Sequence, residues 1–327
     1  MRVLNLEHDL CLATEEVNFI PPKAVVEFAR RCRWIERFMR GPEGEQRRIM
    51  PWGWNLQLKE RLLKEGVPEG ELPTGEELEF IKENSRREVA VELLRCLNSN
   101  LGDWENRVST VSSEYRIVAH SLQEIEGFLQ EKGKAVLKAP LSGSGKGIRF
   151  VTKELMETDR GWCRRILESQ EAVIVEERLD VVQEFAMLFE VGDRGIKFLG
   201  YSMFYASNGA YKGNLLASNG YIEEKLAKDV GKNILEGIRE NVAGFLQGKL
   251  GGRYTGFVGV DMFLYRGGEG RVMINPAVEI NLRMTMGLIA RNIFDHHREE
   301  LQLGDGTHCF EPERGINSAV SPSDPNL

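Results

Sequence analysis

The clearest alternation of apolar and polar positions lies between Gly256 and Arg283. Val258, Val260, Met262 and Leu264 share one parity, and Gly259 and Asp261 the other. After the turn-forming run Gly267-Gly268-Glu269-Gly270 the alternation resumes. Val278, Ile280, Leu282 and Met284 then oppose Asn275, Ala277, Glu279, Asn281 and Arg283. Period two predicts a pair of strands, each with one face on a core. The polar face of the second strand carries a carboxylate, an amide and a guanidinium spaced by about 7 Å. A plain hairpin leaves Glu279 a few residues out of register with Asp261. Pro276 cannot donate to a ladder, so a bulge or break there is expected to absorb the offset.

The rest of the chain mixes helical and strand periods. Arg2 to Leu6 and Arg48 to Trp52 read as short strands. Apolar residues spaced by three and four predict a helix from Pro21-Pro22 to about Met39. Further helices are expected over Asn55 to Lys64, from Thr74 or Glu76 to about Glu83, and from Ser85 to Leu97. Ser121, with Glu124 three residues on, caps a helix to Glu131. Strands follow at Tyr115 to Ala119, Lys134 to Lys138, Ile148 to Thr152, Ala172 to Glu176 and Gln183 to Val191. A helix to Glu168 lies among them, and Ile196 to Ala206 and Ala210 to Leu216 pair around Ser207-Asn208-Gly209. One long helix is expected from Ile222 to Gln247 and another from Thr285 to Arg298. From Glu311 the chain has three prolines and no periodicity, which predicts a loose end.

Composition narrows the class. The 327 residues are 42% hydrophobic and 28% charged, with a formal net charge of -7. That describes a globular protein and argues against general nucleic-acid binding. No apolar run approaches the roughly 18 residues of a membrane span, and the N-terminus lacks a signal peptide's apolar stretch. The five cysteines are scattered without a Cys-x-x-Cys pair. Reduced thiols in a cytoplasm are the expectation.

Three stretches carry candidate chemistry. Asp261, Glu279 and Asn281 offer hard oxygen ligands on adjacent strands, which suit Mg²⁺, and Arg283 can grip a phosphate or carboxylate. Alternating polar residues also serve simply as a strand's solvated face. Ser142, Gly143, Ser144, Gly145, Lys146 and Gly147 form a glycine-rich run between two strands. Its backbone amides can approach phosphate oxygens. No Ser or Thr follows the lysine and no helix comes next, so it is a flap rather than a Walker loop. A flexible hairpin turn has the same composition. Lys138 interrupts an apolar strand just before the flap and needs an anionic partner; a nucleotide phosphate would serve. The third stretch is Val173 to Glu177, an apolar strand ending in carboxylates, followed by a short link to Gln183-Glu184.

In order and spacing these stretches resemble the ATP-grasp superfamily from about Ser85 to Arg298. The resemblance implies an α+β fold in which two α+β lobes grip ATP, preceded by a small α/β domain. It implies domains at 1–85, 86–180, 181–305 and 306–327, the last a tail. Lys138 and the flap would bind phosphates. Glu176, Glu177 and Leu179 would form the adenine link, and Glu184 would bind ribose. Asp261, Glu279 and Asn281 would hold Mg²⁺, or Mn²⁺, and Lys138 and Arg283 would assist phosphoryl transfer. The family has a further upstream basic residue at the phosphates, for which Arg86 or Arg87 is the candidate. The implied activity is an ADP-forming ligase acting on a small carboxylate and an amine. A kinase on the same scaffold and a binder without turnover are the alternatives. A homodimer is compatible, and no nucleic-acid or membrane partner is expected. Glu7-His8-Asp9 and Tyr211-Lys212-Gly213-Asn214 are the candidate substrate loops.

Overall fold

The structure is a computed structural model, and it describes residues 1–14, 16–42, 48–100, 110–143, 147–207 and 210–318. The chain opens with β1 (Arg2–Val3), α1 (His8–Leu12) and α2 (Lys23–Arg31), then β2 (Met50–Pro51), α3 (Leu56–Lys64), α4 (Gly75–Asn84) and α5 (Arg87–Asn100). The expected helix to Met39 tightens into a 3₁₀ turn over Cys32–Phe38. The small α/β unit reduces to one two-residue parallel pair, β1 with β2. Asn55 caps α3, and Thr74 with Glu77 forms a full capping box on α4.

Next come β3 (Arg116–Ala119), α6 (Leu122–Lys132), β4 (Lys134–Lys138), β5 (Ile148–Thr152), α7 (Glu157–Gln170) and β6 (Val173–Glu177). These strands form a four-stranded sheet in the order β3-β6-β4-β5. Ala135, Leu137, Val151, Val173 and Val175 pack under α6 and α7 with Phe128, Trp162 and Cys163. The opposite parity, which includes Val136, Lys138, Ile148, Phe150 and Glu176, faces a cleft.

The chain then crosses to the larger sheet. β7 (Asp180–Gly192), β8 (Gly195–Ser207), β9 (Ala210–Leu216), α8 (Asn219–Val230), α9 (Lys232–Leu250), β10 (Gly256–Arg266), β11 (Val272–Asn281), α10 (Met286–His297), β12 (His308–Glu311) and β13 (Gly315–Ser318) complete it. Its strand order is β11-β10-β7-β8-β9-β12-β13. β7 shows why the sheet is covered on both faces: Phe185, Met187, Phe189 and Val191 enter the core under α5, α8 and α9. Ala186 and Leu188 enter the core built by α10 and the Cys32–Phe38 turn. Assigned with the smaller lobe from sequence, α5 in fact packs on the larger sheet.

Two expectations are corrected. The single helix from Ile222 to Gln247 is two, because Gly231 adopts φ +84 and ends α8 before α9 starts. The tail expected to be loose from Glu311 instead forms β12 and β13, which extend the large sheet beyond β9; residues 319–327 lie outside the described ones. Phe310 is fully buried in the α10 core. Phe310→Ala should therefore cost about 3–5 kcal/mol in urea unfolding. A loss below about 1 kcal/mol would detach the C-terminal hairpin from the fold.

Candidate active site

The β10–β11 register is the key geometry. Asp261 lies directly opposite Glu279, Val260 opposite Ile280 and Gly259 opposite Asn281, and the pairing then jumps so that Phe263 opposes Asn275. The expected irregularity around Pro276 thus brings the two carboxylates side by side. Within it the parity changes: Ala277 enters the core while Val278 lines the cleft, the reverse of their simple alternation. The freed backbone is satisfied by side chains. Asn275 Oδ1 accepts from the Ala277 amide at 3.2 Å, and Arg116 Nη1 donates to the Ala277 carbonyl at 2.8 Å.

Glu279 and Asp261 are both half-buried. Burial first, and then the Glu279 charge, raise the Asp261 carboxyl to about 7. Asn281 Nδ2 donates to Asp261 Oδ2 at 3.1 Å, so the amide oxygen remains to face a cation. Glu279 also takes an ion pair from Arg87 at 2.9 Å. Of the two upstream candidates, Arg87 is the one in the site; Arg86 pairs with Glu88 and the Gln170 carbonyl instead. Arg87 also donates to the Ala139 carbonyl and, at 2.9 Å, to Ser142 Oγ, tying the flap base to the strand that carries Glu279.

The flap base is a β4–β5 hairpin closed by the Ala139 amide donating to the Gly147 carbonyl at 2.9 Å. A Cβ on Gly147 would fall 2.2 Å from Ser142, and one on Gly143 would fall 2.9 Å from Leu10 of α1. Gly147 leaves no room for a Cβ, whereas at Gly143 the obstacle is the end of the flexible Leu10 side chain. Ser144, Gly145 and Lys146 lie outside the described residues.

Lys138 has its anionic partner within the chain: Glu176 Oε2 at 2.6 Å. Arg116 pairs with the same carboxylate at 2.7 Å, and Tyr115 donates its hydroxyl to it at 2.8 Å. Burial raises this carboxyl, but Arg116 and then Lys138 outweigh that and hold it at about 2. Burial lowers the Lys138 ammonium, offset in part by Glu176. Glu176 lines the cleft with its carboxylate paired to Lys138 and Arg116, and Glu177, Leu179 and Glu184 line it beyond, where the chain passes between the sheets. Burial raises the Glu184 carboxyl.

Arg283 is gripped from the N-terminal segment. Its Nε and Nη2 donate to the two Asp9 oxygens, each at 2.7 Å. Burial raises the Asp9 carboxyl and Arg283 lowers it, for a net lowering. Of Glu7-His8-Asp9, only Asp9 lines the cleft; His8 is buried against Asn55 Nδ2 at 3.1 Å, and burial takes its imidazole to about 4. Of the other candidate loop, Tyr211 and Asn214 line the cleft and bond each other, while Lys212 is exposed. Sequence reading missed Arg116 and Tyr115. The signal was there: Arg116 interrupts an apolar strand as Lys138 does.

These residues surround one cleft of about 1470 Å³ between the two sheets. Ser142 and Gly143 at the flap base line one wall, β6 passes into β7 along its side, and Asp261, Glu279 and Asn281 sit on the facing strands. This arrangement resembles the ATP-grasp fold. No family model and no curated protein matches the chain. N5-carboxyaminoimidazole synthetase from Staphylococcus aureus, complexed with ADP, is 17% identical at a TM-score of 0.46, over 77% of this chain and 56% of that one. The biotin carboxylase domain of Hydrogenobacter thermophilus 2-oxoglutarate carboxylase, in complex with MgADP, ADP and bicarbonate, is 13% identical at 0.48, over 76% and 53%. D-alanyl-alanine synthetase A from Vibrio cholerae is 14% identical at 0.41, over 68% and 63%. The chain spans between half and two thirds of these structures. At such scores the likeness assigns no residue a role.

The donor set fits a magnesium ion that also takes phosphate oxygens: two carboxylates and an amide oxygen, all hard. Among the described residues no group of three or more His, Cys, Asp or Glu assembles, so a site built wholly from such side chains is not offered. A folded-state carboxyl raised to about 7 binds a proton that the unfolded chain gives up near pH 4. Metal-free stability from this group therefore falls as pH rises from about 4 through 7. Asp261→Asn should raise the metal-free midpoint at pH 8, by about 2 kcal/mol after allowance for partial exposure, and leave it little changed at pH 4. An unchanged or lowered stability at pH 8 would mean that Asp261 is not held under electrostatic strain.

Proposed function

We propose that the chain is an ATP- and Mg²⁺-dependent ligase that joins a carboxylate to an amine or similar nucleophile through an acyl phosphate, releasing ADP and phosphate. The observation that carries this reading is the convergence of Lys138, Asp261, Glu279, Asn281 and Arg283 on one cleft. Its nucleotide end is apolar on both walls, with Val136, Ile148 and Phe150 from the small sheet and Met262 and Val278 from the large one. A purine fits between such walls, with the backbone between Glu177 and Gln183 at its edge and Glu184 placed for the ribose hydroxyls. Lys138 and the flap amides suit the phosphates.

Asp261, Glu279 and Asn281 would hold the metal, which when bound neutralises charge on the phosphate oxygens. Mn²⁺ suits the same oxygen set. A substrate carboxylate oxygen bonds to the γ-phosphorus as the bond from phosphorus to the β–γ bridging oxygen breaks, and ADP leaves. The amine nitrogen then bonds to the acyl carbon, the carbon–oxygen bond to phosphate breaks, and the nitrogen sheds a proton. Lys138 and Arg283 stabilise the charge that develops on the transferring phosphoryl group. Glu176 acts here by holding Lys138 in place rather than by contacting adenine through its side chain. No helix among the described residues is long and apolar enough to cross a membrane. All five cysteines are free thiols, which suits a cytoplasmic setting.

Incubation with Mg-ATP, the acid substrate and hydroxylamine should yield a hydroxamate together with ADP, since acyl phosphates are intercepted as hydroxamates. Glu279→Gln keeps the shape but removes metal-binding charge, and should lower ADP formation by about 100-fold or more while the protein still unfolds cooperatively. A phosphorylated product that resists hydroxylamine would make the enzyme a kinase. Tight ATP binding with no turnover would make it a binder.

A further inference from the structure

The cleft continues past Arg283 into an end that the nucleotide does not need. Leu6, Phe28, Trp52, Ala186, Phe204 and Met286 line it, and all six also belong to or pack on the core beneath α10. They form one continuous apolar surface rather than scattered contacts. α2 explains its width. The helix is strongly amphipathic yet buries none of its residues. Ala24, Val25 and Phe28, one helical stripe, instead line the cleft. An apolar helix face that the core covers only in part, at Phe28, leaves room for an apolar occupant.

The polar groups at this end are largely satisfied among themselves. Asn214 donates to Ser202 Oγ at 2.6 Å and to the Met203 carbonyl at 3.3 Å, and accepts from the Tyr211 hydroxyl. Lys225 lies toward the β12 edge, where its charge acts on Cys309. The charges that border the apolar surface next to Asp261 and Glu279 are therefore Asp9 and Arg283. They are half-buried against each other in a two-pronged pair, one anion and one cation side by side. A zwitterion matches such a pair: its carboxylate to Arg283, its ammonium to Asp9.

Resting on the ligase reading, we propose that the acid activated at this site is an α-amino acid with an apolar side chain. Its carboxylate lies at Arg283, beside the Asp261–Glu279 pair and so within reach of the γ-phosphate. Its ammonium lies at Asp9, and its side chain lies on the surface formed by α2, Trp52 and Met286. Asp9 is then a specificity-determining group, and the N-terminal segment is part of the substrate site.

Equilibrium binding to the full chain tests this without turnover. The protein is first saturated with Mg²⁺ and the non-hydrolysable analogue AMPPNP. It is then titrated with L-phenylalanine, L-leucine, L-aspartate, L-serine and 3-phenylpropionate. L-Phenylalanine or L-leucine should bind at least about tenfold tighter than L-aspartate or L-serine. 3-Phenylpropionate, which lacks the ammonium, should bind about tenfold more weakly than L-phenylalanine. Asp9→Asn should weaken L-phenylalanine about tenfold but not weaken 3-phenylpropionate, whose carboxylate no longer competes with Asp9 for Arg283; Val25→Asp, on the α2 surface, should weaken both. Equal or tighter binding of L-aspartate or L-serine, or no binding by any of the five once AMPPNP is bound, overturns this proposal and leaves the nucleotide site standing. Failure of Mg-AMPPNP itself to bind overturns both.

Discussion

A single buried charge cluster couples the two lobes. Arg116, on the small sheet, pairs with Glu176 on the neighbouring strand and donates to the Ala277 carbonyl on the large sheet. Glu176 in turn holds Lys138. The Arg116 and Glu176 side chains are 1% and 3% exposed, so water cannot substitute for a lost partner. Charges at that depth persist only when paired, and removing one leaves the others uncompensated at a cost of about 3–5 kcal/mol. The cluster therefore fixes three things together: where the small sheet sits against the large one, where Lys138 enters the cleft, and how the irregular turn before Glu279 is satisfied. That turn sets the Asp261–Glu279 register. The cleft-facing lysine and the candidate metal carboxylates are thus placed by one network.

The N-terminal segment closes the far side. α1 lies against the flap base, where Leu10 approaches Gly143, and supplies Asp9 to Arg283. Asn5 and Asn55 anchor this segment: Asn5 donates to the Gly53 carbonyl at 2.8 Å, and Asn55 meets His8. A segment with only a two-residue strand pair of its own is held by the cleft it helps to build. Two candidate roles for Arg283, gripping a phosphoryl group and gripping a carboxylate, both require Asp9 to yield or share the guanidinium.

Much of this was legible because it is local. Period-two alternation gave the strands on both sheets, and Pro276 announced the irregularity that brings Glu279 to Asp261. The same irregularity defeated the alternation at Ala277 and Val278, since a bulge's parity depends on which backbone groups find partners, here Asn275 and Arg116. The helix expected from Ile222 to Gln247 runs through Gly231, and only the backbone angle of that glycine shows that it ends one helix. The β12–β13 hairpin was missed because Phe310 is buried by α10 and neighbouring strands far away in sequence. The place of Glu176 at a strand end was visible, whereas its partners Arg116 and Tyr115 lie 60 and 61 residues upstream in the chain.

The central claim is that one cleft between the two sheets holds the triphosphate between Lys138 and the Asp261–Glu279 pair. A crystal structure of the complex with Mg²⁺ and AMPPNP tests it most directly. The account predicts purine density between Phe150 and Met262, phosphates within hydrogen-bond reach of Lys138, and a metal bonded to Asp261 and Glu279 oxygens. Nucleotide bound outside this cleft, or inside it with the metal on other residues, would contradict the account.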